Sequence, residues 1–256
     1  MVLMKTIFLP ASCPCRFLVL LGLILCTPLM SCFSRTADNN SKELLHYYLK
    51  SANNSDLHFL HHKGNHEVRE KPLVALTFDD GPNPGTTPSI LKELKKHKVK
   101  ATFFLVGERV KRYPELARQI VAGGHDVGNH GYRHANLSKL NNKEINREIQ
   151  LTQKIIQETA GKTPFLFRPP HGTINETVIR IAEKNKLKII LWSVDPREYN
   201  PGLTTGQVMD IIKASVKPNS IILSHDTKLK NVEMLPDLLD FLEKNNFRIV
   251  PVSAMS

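Results

Sequence analysis

The chain has 256 residues, of which 41% are hydrophobic and 23% charged, enough for one globular domain with a sizeable core plus additional material at one end. With 13 Gly and 16 Pro, collagen-like, coiled-coil and wholly disordered classes are excluded. Lys and Arg number 35 against 24 acids, a formal net charge of +11, which suits nucleic acid, anionic lipid or an anionic wall polymer as neighbours without selecting among them.

At the N-terminus, Lys5 and Arg16 are the only charges ahead of Cys32, and an apolar run covers residues 17–25. That run is shorter than the ~20 apolar residues a bilayer span requires, so it reads as an export signal. It leads into Leu29-Met30-Ser31-Cys32, which resembles the lipobox of bacterial lipoproteins. The expectation is removal of residues 1–31, lipidation of Cys32 and an exported cell-envelope protein held to a membrane by that anchor. All four cysteines, Cys13, Cys15, Cys26 and Cys32, lie in this stretch, which excludes zinc fingers and thiol nucleophiles from the rest of the chain.

Residues 32–70 form a polar linker rich in Asn, Ser, Lys and His, with one short helix expected around residues 44–49. His58, His61, His62 and His66 cluster there, but composition of this kind does not order a metal site, and the cluster is expected to be solvated.

Residues 71–256 read as the main folded domain. Short apolar runs at residues 73–78, 102–106, 125–129, 165–167, 187–193, 220–223 and 247–252 predict seven strands, several buried on both faces. Helices are predicted between them. Thr87 is expected to cap one with Pro88 in first position, ahead of Ile90, Leu91 and Leu94. Asn141 and Glu144 form a capping-box pair before Ile145, Ile149, Thr152 and Ile156, which share one helical face. Leu235, Leu238, Leu239 and Leu242 line another. Alternating strands and helices imply an α/β fold with parallel strands, closed or nearly closed as a (β/α) barrel, with an open doubly wound sheet as the alternative.

Ionisable residues fall where these strands end. Asp79 and Asp80 follow the first, His130 and His134 the third, Arg168 the fourth, Asp195 and Glu198 the fifth and His225 the sixth. In a parallel barrel the carboxyl ends share one rim, so these positions converge on one cleft. His130 and His134, four apart, offer two imidazoles to a divalent metal if the segment turns helically, and Asp79 or Asp80 adds a carboxylate, leaving open positions as in catalytic sites. The second carboxylate is then free as a base. Arg168, in a loop stiffened by Pro169 and Pro170, is placed to pair with a carboxylate. His225 suits a near-neutral acid.

Together, Thr77 to Pro82, His130 to His134, Arg168-Pro169-Pro170, Asp195 to Tyr199 and Leu223-Ser224-His225 resemble the five motifs of the polysaccharide deacetylase family, the NodB-homology domain of carbohydrate esterase family 4. The resemblance covers about residues 72–252 and implies a distorted NodB-like barrel of about seven strands. It also implies a metal-dependent hydrolase removing acetyl groups from N-acetylated sugar polymers. By motif, Asp79 is the expected base, and Asp80, His130 and His134 are the metal ligands. Arg168 orients the base with help from Asp195 or Glu198, and His225 is the general acid. Pro170, His171, Tyr199 and Leu223 are expected to touch substrate, Leu223 as the wall of the acetyl pocket. One divalent ion is implied, Zn²⁺ first, with Co²⁺ or Mn²⁺ able to substitute.

The pattern departs from the family at four places. Gly131 stands where Ser or Thr is usual and Ala135 where Pro is common, changes expected to loosen the metal loop while keeping its ligands. His171 replaces a Tyr, and Glu198-Tyr199 an Asp-Trp pair. The leading reading is an N-deacetylase for peptidoglycan or chitin-like oligomers. An O-acetyl esterase of xylan type and a catalytically lapsed glycan-binding wall protein are the alternatives. The positive charge is spread rather than interleaved with aromatics, so nucleic acid is not an expected partner. A monomer is expected.

Overall fold

The computed structural model describes residues 71–255. The expected export signal, Cys32 and the linker with its expected helix and its histidine cluster lie outside the described residues.

Seven strands occur among the described residues, β1 (Leu73–Gly81), β2 (Thr102–Leu105), β3 (Asp126–Asn129), β4 (Leu166–Phe167), β5 (Lys188–Ile189), β6 (Ser220–His225) and β7 (Arg248–Val250). Every pairing is parallel. They run in the order β5-β4-β3-β2-β1-β6, with β7 against the beginning of β1. Beyond β5, Val194 bridges to Ile222 of β6, so the sheet curls until its two edges meet through one bridge. The result is a curled half-barrel wrapped by helices, as the barrel reading expected, and not an open doubly wound sheet.

Several runs are shorter as strands than their apolar character suggested, the 247–252 run pairing only over Arg248–Val250. Phe165 is 52% exposed and stays outside β4. The 187–193 run forms a ladder over only Lys188–Ile189, because the carbonyls of Ile190 and Leu191 turn to accept the Arg168 guanidinium, each at 3.1 Å.

The helices are α1 (Thr87–Lys96), α2 (Gly107–Arg112), α3 (Pro114–Ala122), α4 (Asn142–Ala160), α5 (Glu176–Lys184), α6 (Thr205–Ser215) and α7 (Leu229–Lys244). The α4 capping box forms as expected: the Asn141 side chain accepts the Glu144 N–H and the Glu144 carboxylate accepts the Asn141 N–H, both at 3.0 Å. The α1 cap does not. Thr87 is the first helical residue and Thr86 the cap, with no capping hydrogen bond from its side chain; both hydroxyls donate to Asp226, and Thr87 Oγ1 also accepts the Asn83 N–H at 2.7 Å.

Two apolar layers clothe the sheet. One joins β1 and β2 to α1, α3, α6 and α7 through residues such as Leu76, Phe78, Phe103, Leu94, Ile120 and Leu239. The other joins Phe167 and Ile189 to α4 and α5. A third cluster of Ala75, Phe104, Leu166, Ile190 and Val252 includes the β1 face that Ala75, Thr77 and Asp79 share by strand alternation. The 3₁₀ turn Val252–Met255 lies against the beginnings of β2 and β3, its Val252 and Ser253 N–H groups donating to Thr102 Oγ1 and Asp126 Oδ2 at 2.9 and 3.0 Å.

Candidate active site

In a regular strand, adjacent side chains point to opposite faces, so Asp79 and Asp80 should not share a cleft. They do because the register of β1 against β2 slips between Asp79 and Gly81. Asp80 at the slip takes φ 70°, and a bulge of this kind re-aims its side chain. His134 and His171 also sit at positive φ, 58° and 61°. Three non-glycine residues in the left-handed region, at a cost of about 1–3 kcal/mol each, mark a site whose surroundings hold it in place. Gly81 beside the bulge has to be glycine, since a Cβ there would lie 2.1 Å from Asp226 Oδ2.

Arg168 is fully buried and organises the cleft floor. One nitrogen donates to Asp79 Oδ1 and Thr77 Oγ1, each at 2.7 Å, while the others donate to the carbonyls of Ile190 and Leu191, just past β5. Its guanidinium carbon lies 4.2 Å from the centre of the Phe104 ring and 5.5 Å from that of Trp192, contacts that favour a cation. Asp79 Oδ2 faces the other way, 3.7 Å from His130 Nε2.

His130 Nδ1 lies 2.7 Å from the Arg168 carbonyl. A carbonyl only accepts, so Nδ1 carries a proton, which leaves Nε2 as the nitrogen able to ligate a metal. That Nε2 lies 3.5 Å, and His134 Nε2 3.1 Å, from Asp80 Oδ1. The three atoms fall within 4.8 Å of one another. Asp80 Oδ1 is buried with no hydrogen-bond partner among the described residues, and lone pairs converging in this way require a positive charge among them. Burial alone would raise the Asp80 carboxyl, but positive charge and hydrogen bonds from the two imidazoles, when protonated, reverse this and hold it well below the usual carboxylate range. Two imidazoles and a carboxylate with a buried, unsatisfied oxygen fit a divalent ion. The histidines meet without a helix, since residues 130–134 are irregular. The helical-turn expectation is therefore corrected.

On the other side of Asp79, His225 is its register partner across β1 and β6. Its Nδ1 meets Glu198 Oε1 at 2.5 Å. Burial lowers the His225 pKa, but the Glu198 hydrogen bond and the charges of Glu198, Asp79 and Asp80 outweigh it, so the net shift is upward. Glu198 thus takes the histidine, while Asp195 accepts the Arg197 N–H at 2.9 Å and the Tyr199 hydroxyl at 3.0 Å, bracing the loop that carries Glu198. Half-exposed Tyr199 stands edge-on to His225 at 5.8 Å. His171 stands edge-on to His134 at 4.5 Å, its pKa lowered by burial and by the neighbouring histidines. Pro170 and Leu223 are buried beside them.

The loosening expected from Gly131 is not seen. With φ 73° the position favours glycine, and its N–H donates to Asn129 Oδ1 at 2.9 Å while its carbonyl accepts the Gly107 N–H at 3.0 Å.

Two supporting residues were not singled out from sequence. Asn231, buried at the start of α7, donates to Glu198 Oε1 at 3.2 Å and to the His225 carbonyl at 2.8 Å. Asp226 is fully buried, takes the Thr86 and Thr87 hydroxyls and donates its N–H to the Asp79 carbonyl at 2.8 Å. Burial pushes its carboxyl up to about 7 against the pull of those hydroxyls. Its place directly after His225 was the available signal; Asn231 offered none.

A curled parallel sheet that gathers carboxylates and imidazoles at its strand ends, around a cradle for one divalent ion, has the layout of a hydrolase site. The family model described as polysaccharide deacetylase matches residues 66–190. A peptidoglycan-N-acetylglucosamine deacetylase of Bacillus cereus is 40% identical over 170 residues, 66% of this chain and 62% of that protein. A second Bacillus cereus protein of the same name is 36% identical over 189 residues, 72% of this chain and 87% of that one. Among solved structures, a carbohydrate esterase family 4 pseudoenzyme from Bacillus anthracis superposes with a TM-score of 0.69 at 30% identity, covering 72% of this chain and 65% of that one. This chain belongs to the polysaccharide deacetylase family.

Proposed function

We propose that this protein is an exported, lipid-anchored, metal-dependent enzyme that removes N-acetyl groups from N-acetylglucosamine in peptidoglycan or chitin-like oligomers. The observation that carries the reading is the pairing of Asp79 with His225 on adjacent parallel strands, each clamped by an opposite charge, with the three-ligand cradle beside them. Names of relatives support the substrate class, since both Bacillus cereus proteins are peptidoglycan-N-acetylglucosamine deacetylases.

Asp80, His130 and His134 would hold the ion, which when bound supplies Lewis acidity toward an acetyl carbonyl and lowers the pKa of water. Asp79 Oδ2, on the cradle side, takes the proton from the attacking water, while Arg168 on Oδ1 fixes the carboxylate's orientation. The His171 N–H serves the developing oxyanion from a backbone held by the preceding prolines. His225, with Nδ1 committed to Glu198, presents Nε2 to the departing amine and protonates it. Leu223 and Tyr199 wall the acetyl and sugar positions.

With these clamps intact, a lapsed site is the weaker reading. Acetate release from peptidoglycan, chito-oligomers and acetylated xylan, before and after chelation, tests the proposal. Release from the two amide polymers, abolished by chelator and restored by Zn²⁺, is expected. Release from xylan alone makes it an esterase, and sugar binding with no release from any polymer makes it a lapsed binder.

Location has its own test. Cys32→Ala is expected to leave the protein unprocessed or free of the membrane on fractionation. A variant as membrane-bound as the parent, with unchanged mass, shows an uncleaved signal anchor instead.

A further inference from the structure

Glu148 sits on the buried face of α4, between Ile145 and Thr152, and is 3% exposed. A carboxylate in that apolar stripe is costly unless fully engaged. Here its Oε2 accepts the Tyr132 N–H at 2.9 Å and the Arg133 N–H at 2.8 Å, and its Oε1 accepts Arg133 Nε at 2.8 Å. Those two amides lie midway between His130 and His134.

His130 is already fixed from outside this segment by the Arg168 carbonyl and by its place at the end of β3. His134 is not in a strand or helix, and it occupies the left-handed region, so its imidazole reaches Asp80 only if the intervening backbone is held. Glu148 supplies that hold from a rigid 19-residue helix. Charge-assisted bonds from backbone N–H groups to a carboxylate are among the strong ones, and two converge on one oxygen. Resting on the metal-site reading above, we propose that Glu148 is a positioning residue for the divalent ion: it sets the separation of His130 and His134 without touching the ion, through Tyr132 and Arg133.

Arg133 is the exposed member of this set, its side chain 62% exposed. Its guanidinium is therefore expected to be dispensable, whereas an oxygen at the place of Glu148 Oε2, taking the two amides, is not. The test is titration of the metal-free protein with Zn²⁺ and Co²⁺, following the Co²⁺ absorption band, with thermal unfolding of the metal-free form recorded alongside. Glu148→Ala is expected to weaken ion affinity about 10- to 100-fold, the usual scale for groups that orient ligands, and to alter the Co²⁺ band. Glu148→Gln keeps an oxygen for the two amides and is expected to restore most of the affinity. Arg133→Ala is expected to bind as the parent does.

If Glu148→Ala fails to fold, Glu148→Asp carries the same test, because it keeps the charge but withdraws it by one methylene, and it too is expected to weaken binding. A Glu148→Ala or Glu148→Asp protein that unfolds at a lower temperature yet binds the ion with parental affinity and spectrum overturns the proposal, leaving Glu148 a packing residue. Failure of the parent to bind either ion overturns the metal site itself, a distinct result.

Discussion

Asp79→Asn is expected to bind the divalent ion as tightly as the parent while losing about 10²- to 10⁴-fold in turnover, the range for removing a general base. The geometry separates the two effects. An amide at position 79 can still accept the Arg168 nitrogen through its carbonyl oxygen, where Asp79 Oδ1 now lies at 2.7 Å, so the buried guanidinium keeps its partner. The other atom becomes an NH₂ on the side facing His130 and cannot take a proton. Asp80→Ala is the counterpart. It removes the oxygen that both imidazole Nε2 atoms surround, and ion affinity itself should fall. Metal content measured beside rate for the two variants decides the assignment. Loss of the ion from Asp79→Asn and its retention by Asp80→Ala would exchange the roles.

The second large effect concerns pH. His225→Ala should keep the ion and lose rate on the same general-acid scale, about 10²- to 10⁴-fold. The parent's alkaline limb reports deprotonation of His225. Because the net shift of this group is upward, that limb should lie above the ordinary histidine value of about 6.5. Glu198→Gln leaves an oxygen to accept from Nδ1 but removes the negative charge that favours imidazolium. The His225 pKa should then drop and the alkaline limb move toward lower pH, with rate at the acidic optimum less affected. A limb that stays in place in Glu198→Gln, or that persists in His225→Ala, assigns the titration to another group.

Much of this arrangement could be read from residues alone, and the exceptions share a physical cause. The Asn141 and Glu144 box formed because a cap is local, involving residues three apart. The long buried run of β1 and the ionisable residues at strand ends were legible because alternation and parallel topology leave them few alternatives. What escaped depends on partners distant in sequence. The Thr86 and Thr87 hydroxyls donate to Asp226, about 140 residues on, and neither forms the expected cap. The ladder of β5 ended early because Arg168 claimed its next carbonyls. Asp80 shares the cleft with Asp79 through a register slip that no pattern announces. Glu148 had a visible signal, a charge inside an apolar stripe, but the backbone amides it grips carry no side-chain signature.

The position of β1 has a consequence for how such a chain reaches its destination. The first strand to be synthesised in this domain pairs along one edge with β6 from Val74 to Asp79 and along the other with β7 from Leu73 to Ala75, ahead of β2 from Thr77 to Gly81, and the closing turn at Val252–Met255 seals against β2 and β3 only after that. Contacts spanning some 150–175 residues make assembly slow, because loop closure precedes the reward of pairing. A ribosome-bound or partly translocated fragment therefore has β2 but lacks the other two partners of its own central strand, β6 and β7. For a protein proposed to cross a membrane before it works, that delay keeps the chain threadable, and it withholds the pairing of Asp79 with His225 until the whole domain has emerged.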